Sequence, residues 1–233
     1  MKLGFIGALE SEINELKECM TDSECVERDG LQFYDGFINH REIIVVKCGF
    51  GKVNAGRCTQ ILIDSFDIDM IINTGVGGAL DPKLNIGDIV LSTDVVQHDF
   101  NLSALGFKKG AIPPRRDPAF RADDGLRVLA KRACTLANKD ISVFEGRIAT
   151  GDQFINTREE KDRIRNEFGA MCCEMEGGAI AQVAELNSIP FLIIRAISDK
   201  ADNSAITDYP TFEREAIRHC VNLEKELLKL LQL

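Results

Sequence analysis

Short apolar runs alternate with amphipathic segments along almost the whole chain, and this alternation restricts the fold more than any other feature. The apolar runs, typical of strands, lie at 2–8, 32–38, 41–48, 68–73, 88–98, 141–149, 170–173 and 190–198. Segments with apolar residues at helical spacing lie at 9–20, 52–66, 121–138, 158–168, 177–187 and 212–231. The interleaving predicts an α/β fold with a mixed central β-sheet, flanked by helices on both sides, in a single domain over residues 1–233.

Composition argues against two kinds of partner. Of the 233 residues, 45% are apolar and 28% charged, as in an ordinary soluble globular protein. No apolar run reaches the roughly 18 residues of a membrane helix, so we expect no membrane partner. The net charge is −9 and the 28 basic residues are scattered. Binding to a phosphate backbone needs clustered Lys and Arg, so we expect no nucleic-acid partner either.

The thiols and imidazoles form no metal-binding pattern. The cysteines are mostly isolated, and the adjacent pair Cys172 and Cys173 lacks the CxxC spacing. None of His40, His98 and His219 has a second His or Cys at ligand spacing. We therefore predict no metal and no other cofactor. The N-terminal run leads into an acidic segment without a signal-peptide pattern, and with structural thiols this predicts a cytoplasmic protein.

The run at 190–198 delivers a carboxylate to the end of a predicted strand. Its apolar residues follow Pro190, and Ser198 and Asp199 come at its carboxyl end. Because α/β sheets place ligand crevices at this edge, both residues are candidates for a binding or catalytic site. The alternative is that Asp199 only caps the next segment or starts a turn.

A glycine-rich segment follows another predicted strand. Ile71-Ile-Asn-Thr-Gly-Val-Gly-Gly78 predicts a strand that runs into a loop, where a ligand could approach the backbone and meet free N–H groups. The segment matches neither the dinucleotide nor the nucleoside-triphosphate glycine motif. A tight turn from a strand to a helix is the alternative.

Two carboxylates flank a methionine in Cys173-Glu-Met-Glu-Gly177. In an extended stretch, Glu174 and Glu176 point the same way and could face one site. A carboxylate can accept both hydroxyl hydrogen bonds of a ribose cis-diol, with Met175 as an apolar neighbour. Alternatively, both glutamates only favour the positive N-terminus of the following helix.

Two further segments carry candidates of different kinds. In the loop 150–156, Phe154 could stack on a flat base while the Ile155 backbone binds its edge, or the pair could only anchor the loop. On the first helix, Glu12 lies only about 40° round the axis from Leu16, at about 100° per residue. This border position could desolvate the carboxylate and raise its pKa, although a solvated glutamate is the simpler interpretation.

Together these segments resemble the bacterial 5′-methylthioadenosine/S-adenosylhomocysteine nucleosidases, a branch of the purine nucleoside phosphorylase superfamily. The similarity runs nearly end to end. Its motifs are Lys-Leu-Gly-Phe-Ile-Gly-Ala-Leu-Glu-Ser-Glu12, Gly-Phe-Gly-Lys-Val-Asn-Ala55, Asn-Thr-Gly-Val-Gly-Gly78, Asn85-Ile-Gly-Asp-Ile-Val90, Gly-Asp-Gln-Phe-Ile-Asn156, Glu-Met-Glu176 and Arg-Ala-Ile-Ser-Asp199. The resemblance implies hydrolysis of the N-glycosidic bond of an adenine nucleoside, which releases adenine and a 5-thio-substituted ribose.

The matching positions imply catalytic and sugar-binding roles. Asp199, next to the substrate-binding candidate Ser198, would protonate adenine N7 or hold that proton in place. Glu12 would take the proton from the attacking water. Glu176 would hold the ribose hydroxyls, and Met175 would pack on the sugar.

The resemblance also implies a site for the base. Phe154 would stack on adenine, and the backbone of Ile155 would bind its Watson–Crick edge. Gly78 would line the region of base and sugar, while Arg195 and Glu174 would support the water and the sugar from nearby.

Apolar or aromatic residues occupy the positions that match the 5′ tail, namely Leu9, Phe50, Leu102 and Tyr209. They suit a thioether better than a phosphate. Leu102 lies in the long segment 99–120, and in the family pattern a partner subunit supplies this residue. The resemblance therefore implies a homodimer.

The chain departs from the family at Val76, where many members carry a serine whose hydroxyl could position the water or the sugar. A phosphorylase is one alternative, but phosphate needs cationic partners, and no Lys or Arg lies between Asn73 and Pro82. A non-catalytic nucleoside-binding protein would account for Val76 but not for Glu12 and Asp199. A nucleosidase for a bulkier 5′ substituent is a third possibility.

Overall fold

The computed structural model describes residues 1–231, and its secondary structure largely follows the predicted alternation. The strands are β1 Lys2–Gly7, β2 Thr21–Arg28, β3 Leu31–Ile38, β4 Arg41–Lys47, β5 Met70–Asn73, β6 Val76–Ala79, β7 Ile89–Gln97, β8 Phe120–Arg121, β9 Val143–Thr150, β10 Cys172–Glu174 and β11 Phe191–Asp199. The helices are α1 Glu10–Glu18, α2 Lys52–Phe66, α3 Asp124–Ala137, α4 Arg158–Phe168, α5 Gly177–Leu186 and α6 Ala205–Leu230. A 3₁₀ turn covers Ser103–Leu105. Within this range, no helix combines the length and apolar character needed to cross a membrane.

The strands join one mixed sheet in the order β2-β3-β4-β1-β5-β11-β6-β10-β9-β7-β8. β1 runs parallel to β4 and β5, and β11 runs parallel to β5 and β6. β7 pairs with β11 as well as with β9, so that β6, β7, β9, β10 and β11 close into a ring. Closure leaves these strands without an open edge. The predicted α/β class, with a mixed central sheet flanked by helices, is confirmed.

Two groups of helices cover the sheet. α1 and α3 pack against α6, and α2 packs against α5. Because both α6 and α5 also contact β11, every residue of that strand is buried, as the apolar run at 190–198 predicts. α4 covers a smaller apolar cluster, in which its residues Ile164 and Phe168 join Val96, Ala149 and Ile155.

Three predictions about elements were wrong. β2 was not predicted because its sequence is polar and mostly exposed, as suits an edge strand that pairs only with β3. The glycine-rich segment predicted as a loop forms β6 between β10 and β11, and no helix follows it. The last helix begins at Ala205 rather than at 212. Pro210 lies inside it, and because proline usually interrupts a helix, the sequence gives no sign of the earlier start.

A bulge shapes the carboxyl end of β11. Ile197 lies opposite Gly77, but Asp199 rather than Ser198 lies opposite Gly78. One extra residue in a strand bends it and re-aims the following side chains. The bulge therefore sets the direction in which Asp199 leaves the sheet.

Candidate active site

A cavity of about 330 Å³ lies beside β6 and the carboxyl ends of β1, β10 and β11. It is lined by Ala8, Leu9, Glu12, Phe50, Val76, Gly77, Gly78, Gln153, Phe154, Ile155, Cys173, Glu174, Met175, Glu176, Ser198, Asp199 and Tyr209. These residues include every site residue predicted from the sequence except Arg195 and Leu102. Segments far apart in the chain thus meet around one space.

Glu12 reaches this cavity from the first turn of α1, although its side chain is only 4% exposed. Its Oε2 accepts hydrogen bonds from the N–H groups of Ala8 at 2.7 Å and Leu9 at 2.9 Å, and its Oε1 accepts one from Val76 at 3.2 Å. Burial raises the pKa of Glu12, while the charge of Arg195 and the three N–H groups oppose the rise. A carboxylate in this environment is suited to accept a proton from water.

Asp199 lies at the end of β11 and is 3% exposed. Its Oδ1 accepts the N–H of Ala201 at 2.8 Å, and its Oδ2 accepts the hydroxyl of Ser198 at 2.9 Å. Burial is the largest cause that raises the pKa of Asp199. The two hydrogen bonds oppose the rise, and the nearby charges of Asp208 and Asp202 add to it. The environment therefore favours the protonated form of this carboxyl group more than water does.

Two glycines allow the backbone to approach these carboxyl groups. A Cβ on Gly75, whose φ is 154°, would lie 2.4 Å from Oε1 of Glu12. A Cβ on Gly78 would lie 2.9 Å from Oδ1 of Asp199. Both distances are shorter than a Cβ contact tolerates, so the absence of Cβ atoms allows the backbone of Gly75 and Gly78 to lie directly against the two carboxyl groups.

A buried ion pair supports the Glu-Met-Glu segment. Arg195 is 1% exposed, and its Nη2 lies 2.5 Å from Oε2 of Glu174 and 2.5 Å from Oδ1 of Asn73. The Thr150 hydroxyl donates to Oε1 of Glu174. Arg195 also lies 3.9 Å from Oε2 of Glu176. Because a buried charge needs a partner, this pairing allows two glutamates to lie close together under the cavity.

Glu176 lines the cavity, and one of its carboxylate oxygens accepts a hydrogen bond from the backbone. Its Oε1 accepts the N–H of Gly51 at 2.8 Å. Burial raises the pKa of Glu176, and the neighbouring charge of Glu174 raises it further, whereas Arg195 opposes the rise. Met175 lies between the two glutamates in the sequence and lines the same cavity. Polar and apolar surfaces therefore lie side by side, as a sugar ring requires.

Aromatic side chains form the outer part of the cavity. The rings of Phe154 and Tyr209 meet edge to face, with centroids 5.9 Å apart and planes at 78°. Phe154 is 47% exposed and Phe50 is 57% exposed, whereas Ile155 is buried. The exposed faces of the two phenylalanines can pack on a flat or apolar ligand.

Sequence reasoning missed a cluster that holds the loops around the cavity. Lys52 Nζ lies 2.6 Å from Oδ1 of Asp99, and the Lys52 N–H donates to Oδ1 of Asp152 at 2.8 Å. The Asp152 N–H donates to Oδ2 of Asp99 at 3.0 Å. The cluster joins the start of α2 to the segments after β7 and β9. Lys52 and Asp152 belong to motifs that the resemblance uses, but nothing in either motif indicates that they pair.

Leu102 does not line the cavity within this chain, and lies half-buried at the start of the 3₁₀ turn. Its contribution from a partner subunit stays a prediction. Arg195 lies behind Glu174 and acts on the cavity through that residue. Among residues 1–231, no group of three or more His, Cys, Asp or Glu side chains is arranged to hold a metal ion.

Known proteins share this sequence and geometry. Residues 2–231 match the family model of the phosphorylase superfamily. The 5′-methylthioadenosine/S-adenosylhomocysteine nucleosidase of Staphylococcus carnosus is 40% identical over 230 residues, which cover 98% of this chain and 100% of the relative.

Solved structures share this fold over nearly the whole chain. The nucleosidase of the same name from Colwellia psychrerythraea, in complex with adenine, has a TM-score of 0.95 at 36% identity, covering 98% of this chain and 95% of that one. The Neisseria meningitidis enzyme, in complex with methylthio-immucillin-A, has a TM-score of 0.94 at 33% identity, covering 98% and 99%. The chain therefore belongs to the phosphorylase superfamily and, within it, to the family of 5′-methylthioadenosine/S-adenosylhomocysteine nucleosidases.

Proposed function

We propose that the protein hydrolyses the N-glycosidic bond of 5′-methylthioadenosine and S-adenosylhomocysteine, with 5′-deoxyadenosine as a further candidate substrate. One observation carries the proposal: two buried carboxyl groups with raised pKa values, Glu12 and Asp199, line the same cavity. Hydrolysis of a glycosidic bond needs an acid for the leaving group and a base for the water. The family to which the chain belongs supplies the identity of the nucleoside.

In the proposed reaction, Asp199 supplies or holds the proton at adenine N7 while the bond between N9 and C1′ breaks. The ribose then carries a positive charge, which the nearby carboxylates stabilise. Glu12 takes a proton from water as the oxygen of that water bonds to C1′. The products are adenine and a 5-substituted ribose, and the proton lost by Asp199 is balanced by the one gained by Glu12.

We propose that Glu176 accepts hydrogen bonds from the ribose hydroxyls and that Met175 packs on the sugar. Oε1 of Glu176 already accepts the Gly51 N–H, which holds the carboxylate in place. Glu174 is occupied by Arg195, two backbone N–H groups and the Thr150 hydroxyl. Its role is therefore to support the sugar-binding group rather than to hold the sugar itself.

The outer cavity suits an adenine and an apolar tail. We propose that Phe154 stacks on the base, the Ile155 backbone binds its edge, and Leu9, Phe50 and Tyr209 contact the 5′ substituent. The anionic Glu12 would repel phosphate, and Lys52, at the start of α2, is paired with Asp99. Water rather than phosphate is therefore the favoured nucleophile.

We further propose that residues 1–233 work as one unit within a homodimer in the cytoplasm. Exposed apolar side chains close in the sequence to the predicted tail residues Phe50 and Leu102 support the dimer, because Val53 is 81% exposed and Leu105 is 71% exposed. All eight cysteines are free, and six of them are buried, which suits a reducing compartment. Recycling of the methylthioadenosine left by other reactions is the role that this substrate suggests.

Substrate comparison tests the proposal. Purified protein is incubated with 5′-methylthioadenosine, S-adenosylhomocysteine, 5′-deoxyadenosine and adenosine, and released adenine is measured by chromatography. We expect the two thioethers to give the highest kcat/KM, because the tail positions are apolar. Equal turnover of adenosine would contradict the tail assignment, and no adenine from any of the four would contradict the proposed function.

A further inference from the structure

Glu224 is a buried carboxyl group that the proposed mechanism does not use. It lies on α6 with none of its surface exposed. Neither carboxylate oxygen makes a hydrogen bond of standard geometry within residues 1–231, and the same is true of the buried Thr74 hydroxyl. Since unpaired buried polar groups are costly and rare, two of them together indicate more than packing.

A continuous set of groups connects Glu224 to the proposed base. The Thr74 hydroxyl faces both Glu224 and Cys220 with imperfect hydrogen-bond geometry, yet closely enough to lower the pKa of each. The Cys220 thiol donates to the Gly75 carbonyl at 3.4 Å. Thr74 and Gly75 lead directly into Val76, whose N–H holds Oε1 of Glu12. Groups on α6 therefore act on the backbone that holds Glu12.

The protonation state of Glu224 decides what it can do there. Burial raises its pKa to about 8, and although the Thr74 hydroxyl opposes the rise, the charge of Glu12 adds to it. The other charged groups that act on Glu224 are Glu15 of α1 and Lys225 of α6. At neutral pH the group is mostly a neutral acid, which can donate a hydrogen bond, whereas the ionised form can only accept one.

We propose that Glu224, in its neutral form, is a positioning residue for Glu12: it donates a hydrogen bond to Thr74 and so fixes the segment from Thr74 to Val76. The kinetic consequence of this inference rests on the proposed hydrolysis. When Glu224 ionises, the Thr74 hydroxyl must turn towards it as the donor and leaves Cys220. A second negative charge also appears behind Glu12. Both changes disturb the position of the Glu12 carboxylate.

Variants of the two groups test the inference. Glu224→Gln keeps a donor, whereas Glu224→Leu and Thr74→Val remove one partner each. We expect Gln to keep kcat within about twofold, and Leu and Val each to lower kcat about tenfold with little change in KM. Because the two side chains act together, the double variant is expected to be no slower than either single one. Glu226→Gln and Glu226→Leu are the matched controls, because Glu226 is a partly exposed residue of the same helix that pairs with Lys229.

Two readouts separate positioning from a structural role. Replacement of this fully buried and weakly hydrogen-bonded carboxyl group by an apolar side chain should leave the Tm of Glu224→Leu unchanged or higher while kcat falls. The wild-type kcat should decline as pH rises through about 8, and this step should be absent from Glu224→Gln, whereas the decline in kcat/KM that follows loss of the Asp199 proton should be the same in both proteins.

Three outcomes would overturn the inference: an unchanged kcat in Glu224→Leu, additive effects in the double variant, or a loss of kcat that only follows a loss of folded protein. Failure of the wild type to release adenine would instead overturn the proposed function. In that case the coupling of Glu224→Leu and Thr74→Val, measured on Tm, still decides whether the two side chains pair.

Discussion

Glu12 and Asp199 are the same kind of side chain in two different environments. Burial is the largest cause that raises the pKa of each. Glu12 accepts three backbone N–H groups and lies near the charge of Arg195, all of which favour its ionised form. Asp199 has one N–H and one hydroxyl donor and lies near the anionic Asp208, which favours its neutral form. Such a difference supports the proposal that Glu12 is the base and Asp199 the acid.

Replacing Glu12 tests this assignment at a single side chain. Glu12→Gln keeps the size and one acceptor oxygen but removes the base, so we expect kcat to fall by about 10²-fold or more, with KM changed much less. Glu10→Gln is the control, because Glu10 lies on the same helix turn, is half exposed and pairs with Lys17. Steady-state adenine release measures both. A kcat near that of the wild type in Glu12→Gln would contradict the assignment.

The pH profile tests the direction of both pKa shifts. A base must be deprotonated, so kcat/KM should rise with pH through the raised pKa of Glu12, above the ordinary glutamate value of 4.5. An acid must be protonated, so kcat/KM should fall again as Asp199 loses its proton. Measurement of kcat/KM from acidic to alkaline pH checks both limbs. An acidic limb at or below 4.5 would show that burial does not raise the pKa of Glu12.

At the scale of elements, much of the fold could be predicted and the contacts between elements could not. Apolar spacing placed α2 and α4 at their observed bounds, because each presents one apolar face to the core. β2 carries no such signal, since as an edge strand it has little to bury. Glu224 is buried on α6, but glutamate is common on helix surfaces, so nothing in the neighbouring sequence indicates its burial.

For the site too, the residues could be predicted from the sequence, whereas the contacts between them could not. Motif positions identified most of the lining residues, because many of them lie at the end of a predicted strand or the start of a helix. The bulge before Asp199 and the pairing of Arg195 with Glu174 depend on strands that are distant in the sequence. The cluster of Lys52, Asp99 and Asp152 joins three separate segments. These contacts could not be predicted, because they form only when the sheet brings distant segments of the chain together.

A glycine substitution tests the approach of the backbone just before β6 to Glu12 of the first helix. In Gly75→Ala the new Cβ would lie 2.4 Å from Oε1 of Glu12, so the carboxylate must move. We expect kcat to fall by about tenfold or more, since misplacing a catalytic group by about 1 Å can cost 10²-fold. Gly56→Ala on α2 is the control, because its Cβ would meet Val183 at an ordinary 3.7 Å. It should keep full activity and gain about 0.5–1 kcal/mol of stability. Full activity in Gly75→Ala would contradict the described contact.

At the scale of the whole molecule, exposed apolar residues lie close in the sequence to Phe50, which lines the cavity, and to Leu102. Phe50 and Val53 lie at the start of α2, and Leu105 ends the turn that begins after Leu102. Burial of such residues against a second copy would lower the free energy of association. It would also bring the partner's Leu102 towards the tail of the substrate.

Disruption of this surface tests the proposed homodimer. Val53→Asp should lower the mass measured by sedimentation equilibrium from that of two chains to that of one, because a charge would be buried in the interface. KM for 5′-methylthioadenosine should rise, since the 5′ substituent loses its contact with Leu102 of the partner subunit. Val128→Asp is the control, because Val128 is 61% exposed on α3, whose other side packs on α6. A wild-type protein that sediments as a single chain would contradict the proposal.

The central claim is that water, activated by Glu12, attacks C1′ of the nucleoside. It is tested most directly by turnover of 5′-methylthioadenosine in phosphate-free buffer made with ¹⁸O-labelled water, followed by mass spectrometry of the sugar. We predict full adenine release without phosphate, and prompt analysis should find one ¹⁸O atom in the released methylthioribose. Parallel turnover with added phosphate should give the same free sugar at the same rate. Adenine release that depends on phosphate and yields a sugar phosphate would contradict the account.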